Sequence, residues 1–553
     1  MNGKLGVALS GGGMRAACFH VGVLARLAEV GWLPRVEVLS AVSGGSLVAA
    51  LWYLDVRRLL EGATDQSLAP EDYARLLDGL DRAFRRAVRR DFRAATFDNP
   101  LATLRMAFPG YSRSDRIGDL YDRWLYRPVA GGTSPVALAD LKIRPMGHEG
   151  PDFHPRRDNA DRNAKVPILK LNATNLGSGR AWRFEASRMG EPVVAPPVVA
   201  EADCNARHER PASYADLPLH LARFPLGRAV AASSAVPGLF PPIEIRGLYE
   251  HPLALVDGGV VDNQGIGGCL DEGCTTIIVS DASGQLDDHV HPATGSLGVL
   301  GRAASILADR VREEQVRALA DRPDVRLIFV HMRQDLAPTV VRLRHGVPDP
   351  TWHPATNRAH PGVDPDIQLA LSRVRTDLDA FTELESTSLA ALGWTLSGRV
   401  IEENAAPYPW DFLRAQRVLV APRAAERRQL KAARHRMFRL FRMVPGLGLV
   451  VASAALLTVG WLAWWLLPDL PYWMSRPISR WSLVVWIALI SAAVGPTMVR
   501  ALGKGGEPRH WVEVLRRVSL QALVAVTVAP VAMVQRRLVR PMVLWLGRLR
   551  DDR

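Results

Sequence analysis

Residues 5–10, apolar over 5–9, read as a short buried strand, and Gly11, Gly12 and Gly13 follow at once, then an apolar helical stretch over 14–30. A short run that is apolar at every position reads as a strand buried on both faces. Three glycines between such a strand and a helix make a tight loop whose backbone can come close to a ligand. The unit repeats: 36–41 is a second apolar run, Ser43, Gly44 and Gly45 stand at its end, and Leu47, Ala50, Leu51 and Leu54 continue as a helix. Further strands are expected at 167–174, 253–256, 275–280 and 326–331. Strands alternating with helices predict an α/β fold with a mainly parallel sheet covered on both faces, an α/β/α arrangement.

With 553 residues the chain exceeds what one core usually organises, so a large domain with an appendage is expected. The composition shifts after about residue 400. Arg423, Arg427, Arg428, Lys431, Arg434, Arg436, Arg439 and Arg442 crowd a helical segment that runs into 444–467, where no residue is charged. That run is long enough to span a bilayer. A second uncharged run covers 481–499. A third, 518–534, is interrupted by Pro530 and followed by Arg536, Arg537 and Arg540, so it can cross, re-enter or lie in the interface. The count is two or three spans, with a buried helical core as the alternative. The basic cluster places residues 1–440 on the cytoplasmic side, in a multi-pass membrane protein. The expected divisions are a catalytic domain at 1–400, a basic juxtamembrane linker at 401–443, a membrane region at 444–540 and a basic tail at 541–553.

The net charge of +13 and the pI near 10.0 suit nucleic acid or an anionic membrane surface equally. The basic flanks of the apolar runs account for much of that charge, so a lipid bilayer is the expected partner and nucleic acid is not. The mean hydropathy of +0.01 agrees. Cys18, Cys204, Cys269 and Cys274 are too few and too scattered for a disulfide framework. Cys269 and Cys274 have no partner pair at zinc spacing, and His289 and His291 are two ligands on a polar loop, so no metal or other cofactor is expected. No charged leader or long apolar core opens the chain, and no cleavable secretion signal is expected. Residues 71–93 carry apolar positions at helical spacing with arginines interspersed; they read as a surface helix in preference to a membrane-surface one. Stretches near 145–165, 190–218 and 333–366 read as loops, one of them a possible lid.

Three local patterns carry chemistry. Ser43 lies in Ala41-Val42-Ser43-Gly44-Gly45, where a strand turns into a helix, and a sharp turn there lifts a hydroxyl clear of the sheet. It is a candidate nucleophile or a plain helix cap. The amides around Gly11, Gly12, Gly13 and Met14 suit either a phosphate or the oxyanion of a tetrahedral intermediate. A dinucleotide loop would want glycine where Ala16 stands and an acidic residue about twenty further on, near Glu37. A serine elbow nearby favours the oxyanion. Asp257, in Leu255-Val256-Asp257-Gly258-Gly259, ends another apolar strand and is either a turn aspartate or a general base.

Taken in order, these patterns resemble the patatin-like phospholipase family: a glycine-rich loop ending in a basic residue, here Gly11 to Arg15; a GxSxG elbow, here with Ala41 in place of the first glycine; and a DG[GA] triplet at 257–259. Similar too are Asn172-Ala173-Thr174-Asn175 followed by Gly177 and Gly179, the run 232–242, and a helix around Arg375–Asp379. The resemblance covers roughly residues 5–395. It implies a Ser43–Asp257 dyad without histidine, in which Asp257 takes the Ser43 proton, Ser43 attacks a fatty-acyl ester and amides around Gly12, Gly13 and Met14 hold the oxyanion. Arg15 would brace the loop or a lipid head group, with Gly45, Gly258 and Gly259 supporting the turns. The implied substrate is a membrane phospholipid or lysophospholipid, with a neutral glyceride as the near alternative and an inactive membrane scaffold as the rival. His20 is expected inside the first helix as a packed residue.

Overall fold

The computed structural model describes residues 3–549 except 107–109, 194–210, 284–285, 287–291, 337–342, 345–346, 349–361, 402–406, 436–438, 440–442, 444–527 and 529–530. Among the described residues the strands β1 (Leu5–Leu9), β2 (Val36–Val42), β3 (Ile168–Asn175), β4 (Arg180–Phe184), β5 (Arg188–Gly190), β6 (Ala212–Ser213), β7 (Ile243–Ile245), β8 (Leu253–Asp257), β9 (Thr276–Asp281) and β10 (Arg326–His331) form one sheet. Its order is β10-β9-β1-β2-β3-β4-β5-β6, and the five strands β10 to β3 run parallel. Beyond β3 the pairing turns antiparallel. The long helices α1 (Gly13–Glu29), α2 (Gly44–Gly62) and α3 (Pro70–Val88) follow β1 and β2.

Period-2 alternation divides the parallel strands between two cores. Val7 and Leu9 of β1, Leu39 and Ala41 of β2 and Ile278 of β9 join a large core with α1, α2, α3 and the helix Glu383–Val400. Ala8, Val38, Ile277 and Val279 face the other way, onto Ile266, Cys269 and Leu319. A sheet buried on both faces needs apolar residues at every position, which is why these strands read as continuous runs rather than alternating ones.

α3 uses its apolar stripe of Tyr73, Leu77, Leu80, Phe84 and Val88 for this core, and Arg85 pairs with Asp81 and Asp411. It is a surface helix of the domain. Cys18, Cys269 and Cys274 are buried free thiols. The expected helix around Arg375–Asp379 is instead an irregular link between the helices Pro365–Ser372 and Glu383–Val400. Its reason is tertiary: Arg375 is buried, its guanidinium bonds Asp379, Glu385 and the Ala433 and Ala380 carbonyls, and it stacks on Phe381.

The apolar runs 444–467 and 481–499, Cys204, His289 and His291 lie outside the described residues, as does most of 518–534. Among the described residues no helix is long and apolar enough to cross a membrane. A helical stretch over 531–546 returns to the sheet-bearing domain. There Val543 packs with Ala432 and Met443, Gly547 accepts a hydrogen bond from the Leu384 amide at 2.9 Å, and Leu549 joins the large core.

Candidate active site

Strand register brings Ser43 and Asp257 to one point. β2 pairs with β3 up to Val42 opposite Asn172. β8 pairs with β3 over 173–175, with Asp257 opposite Ala173. β4 occupies the other edge of β3 over 171–175. β8 must therefore lie on the β2 side, running against it, so the two strands end facing each other at adjacent rungs. The residue after β2 is Ser43 and the last residue of β8 is Asp257.

Ser43 and Asp257 line one cleft, and the Ser43 hydroxyl lies near enough to the Asp257 carboxyl to favour its charged form. Both residues are nearly buried, 5% and 6% exposed. Desolvation pushes the Asp257 carboxyl up to about 6, against the Gly259 amide, which donates to Oδ1 at 2.7 Å, and the Ser43 hydroxyl, both of which favour the carboxylate. Such a carboxyl is ionised at neutral pH yet basic enough to accept a hydroxyl proton.

Ser43 holds φ 50° and ψ −116°, a conformation that costs a non-glycine residue about 1–3 kcal/mol. Its surroundings enforce it. The Ser43 amide donates to Ser233 Oγ at 2.9 Å, and the Ser233 hydroxyl donates to the Asn172 carbonyl at 2.6 Å. Asn172 Nδ2 donates in turn to the Ala41 carbonyl at 2.9 Å. A Cβ on Gly44 would lie 2.1 Å from the Gly13 carbonyl oxygen, and one on Gly45 2.5 Å from that of Leu9, so the elbow nests against the glycine loop only without side chains there. Ala41, where the usual elbow has glycine, lies inside β2 and its methyl is buried in the core.

The glycine loop lies beside the same point because β1 neighbours β2. Gly12 and Gly13 have φ 138° and 60° and line the cleft with Ser43 and Asp257. The first amides of a helix have no acceptor within it, and at the start of α1 Gly13 lines the cleft whereas Met14 is buried behind it. Gly11 departs from expectation. Its amide is already donated to the Asn263 carbonyl at 2.9 Å, so it takes no part in an oxyanion site. It serves by smallness, since a Cβ there would be 2.3 Å from Asn263 Oδ1. Gly258 and Gly259 similarly admit the Asn172 carbonyl and Asn263.

Arg15 braces the loop and does not face the cleft. Its guanidinium donates to the Ser372, Val374 and Ala282 carbonyls at 2.7, 2.9 and 3.0 Å and to that of Ser283. His20 is fully buried inside α1 between Ser280 Oγ and the Ser10 carbonyl, and burial pushes its imidazole down to about 4. No histidine lines the cleft among the described residues.

The cleft holds about 590 Å³. Val236, Leu239, Phe240 and Val260 line one side, and Ala304, Leu307, Ala308 and Val311 of the helix Ser296–Ala320 another. No lysine or arginine lines it among the described residues. Sequence reasoning assigned no role to Ser233, Asn263 or Thr376, although Ser233 lies in the quoted run 232–242.

Residues 7–269 match the family model described as patatin-like phospholipase. No curated protein matches the chain. Among solved structures, human GIVD cytosolic phospholipase A2 in complex with methyl gamma-linolenyl fluorophosphonate inhibitor and terbium chloride is similar at 14% identity and a TM-score of 0.37, over 76% of this chain and 60% of that one. Another structure of human GIVD cytosolic phospholipase A2 gives 14%, 0.35, 76% and 63%. This chain thus covers less than two thirds of either. VipD from Legionella pneumophila gives 13% identity and a TM-score of 0.28 over 100% of this chain and 93% of that one. Likenesses this distant carry nothing about activity.

Proposed function

We propose that this chain, whose residues 7–269 match the patatin-like phospholipase model, is a serine acyl hydrolase of lipid esters working through a Ser43–Asp257 dyad. The observation that carries the reading is the convergence of Ser43, the desolvated Asp257 carboxyl and the start of α1 on one cleft. Asp257 accepts the Ser43 proton as Oγ attacks the acyl carbonyl. The developing oxyanion turns to the Gly12, Gly13 and Met14 amides. The proton on Asp257 passes to the departing alcohol oxygen, leaving an acyl-serine. Water, deprotonated by Asp257, attacks that ester, and the proton returns to Ser43 as the fatty acid leaves. The runs 444–467 and 481–499 are proposed to hold this domain on the cytoplasmic face of a membrane.

A phospholipid is the first substrate proposed. One observation favours a neutral acylglycerol: the cleft lining has no cation to meet a phosphodiester, and Arg15 is spent on carbonyls. Fatty-acid release from phosphatidylcholine vesicles and from diacylglycerol emulsions, by wild type, Ser43→Ala and Asp257→Asn, tests both statements. The variants are expected to lose about 10⁴-fold or more in kcat on whichever lipid is cut. Wild-type turnover in either one would overturn the dyad.

A further inference from the structure

The helix Pro365–Ser372 and the turn after it present Asp366, Leu369, Ala370 and Arg373 at the i, i+3, i+4, i+7 spacing of one face. The helix Ala424–Ala432 presents Ala424, Arg427, Arg428 and Lys431 at the same spacing. These faces, with Ala432, Arg434 and His435, line a groove of about 670 Å³ that is separate from the catalytic cleft. Arg427 is spent on Asp364 and Asp366, at 2.8 and 3.2 Å, which neutralises the one carboxylate in the lining. Arg428 and Lys431 have no carboxylate partner among the described residues. Cations on neighbouring turns with no counter-ion repel one another, and an anion between them removes that cost. Guanidinium and ammonium groups over an apolar floor of Leu369 and Ala370 suit a phosphate, which takes several charge-assisted hydrogen bonds at once.

The far side of the same segment touches the glycine loop. Ser372 and Val374, flanking Arg373, supply the carbonyls that hold Arg15 at 2.7 and 2.9 Å. The backbone of Thr376 lies so close to the loop that a Cβ on Gly13 would be 2.9 Å from it. We infer that the groove binds a phosphate-bearing anion and that occupancy, by fixing residues 372–376, steadies the loop that faces Ser43. Lys431 is thirteen residues before the uncharged run that starts at 444. A lipid phosphomonoester head group is therefore one source of the phosphate, and free phosphate in solution is the other.

The inference about the loop rests on the hydrolase reading, but the binding does not, so the two are measured apart. Calorimetry on the full chain with Ser43→Ala, which removes turnover, uses soluble dihexanoyl phosphatidic acid and, separately, inorganic phosphate. Arg428→Gln with Lys431→Gln is expected to weaken binding about tenfold or more. Arg428→Lys recovers part of it, and Arg86→Gln with Arg89→Gln, removing the same charge from α3, leaves it unchanged. Lipid binding well above inorganic phosphate assigns the groove to a head group; equal binding assigns it to free phosphate. Equal affinity in the groove and α3 variants overturns the site. For the loop, the wild-type chain hydrolyses p-nitrophenyl butyrate, a soluble ester that a surface cannot concentrate. Saturating the groove should raise kcat about fivefold, the low end of coupling between two sites, with the rise abolished by Arg428→Gln with Lys431→Gln. Binding without a change in kcat overturns the coupling. Hydrolysis that survives Ser43→Ala overturns the Ser43–Asp257 dyad and leaves the calorimetric result standing.

Discussion

On one wall of the cleft, Ser43 and Asp257 are 5% and 6% exposed and every turn around them is bonded or blocked by backbone. On another wall, Leu307 of the helix Ser296–Ala320 is 67% exposed, and Leu300, nearer the start of the same helix, is 66% exposed. The same helix buries Leu319 in the smaller core, so it is anchored at its last turn while its first half stands over the opening. Val236, Leu239 and Val260 are apolar and open to solvent on the neighbouring rim. The contrast separates two requirements. Chemistry needs reacting atoms held to a fraction of an ångström, which only a closed network supplies. Contact with lipid needs apolar area that finds its partner outside the protein.

If the floor acts as one closed unit, loosening it without touching a reacting atom should cost the most. Ser233→Ala removes the acceptor of the Ser43 amide, and we expect a loss of about 100-fold in kcat on a soluble ester, with KM little changed. A loss under about threefold would mean that the elbow holds itself. The next effect is on pH. If Asp257 accepts the Ser43 proton it must be a carboxylate, and its carboxyl is raised to about 6. The kcat/KM should fall about tenfold per pH unit below that value and level above it. A profile still falling at pH 7.5 would implicate another group.

The wall should respond in the opposite sense. Leu300→Asn with Leu307→Asn is expected to leave turnover of a soluble ester and the melting temperature near wild type, and to lower turnover of vesicle lipid several-fold. Equal losses on both substrates would erase the distinction between wall and floor.

The remaining effects are on stability. A carboxyl raised from 3.8 to about 6 contributes stability fully present below 3.8 and lost as pH rises through 6, about 3 kcal/mol for two units. Asp257→Asn should therefore gain on wild type by up to that amount between pH 4 and pH 8, read from denaturant unfolding. Ser43→Gly should be about 1 kcal/mol more stable than Ser43→Ala, because glycine relieves φ 50° and alanine does not. No difference between those two variants would show the elbow to be unstrained.

The strands were legible where their composition is local and complete. β1, β2, β8, β9 and β10 each begin and end within a residue or so of the expected bounds, because a two-sided buried strand cannot be written without an apolar run. Ser43 and Asp257 were legible as strand ends. Their meeting was not, since it depends on β8 continuing the edge of β3 that β2 leaves free, a pairing between residues some eighty apart. The antiparallel wing from β4 to β6 consists of short strands with no clear period and went unread. Residues 375–379 were expected to be helical only on the family resemblance; the buried ion pairs of Arg375 with Asp379 and Glu385 hold them as an irregular link. The commitment of the Gly11 amide to Asn263 is a contact across 252 positions that no local pattern announces.

The return of residues 531–549 to the domain changes how an enzyme lacking the apolar stretch would have to be made. Cutting the gene after residue 440 would discard Leu549 from the core and the Gly547 carbonyl that receives the Leu384 amide. An internal excision that joins the chain near Met443 to the chain near Val531 keeps both. Met443 and Val543 share one small apolar cluster, so a flexible splice has to reach from there to Val531, about 18 Å back along the helical stretch that carries Val543.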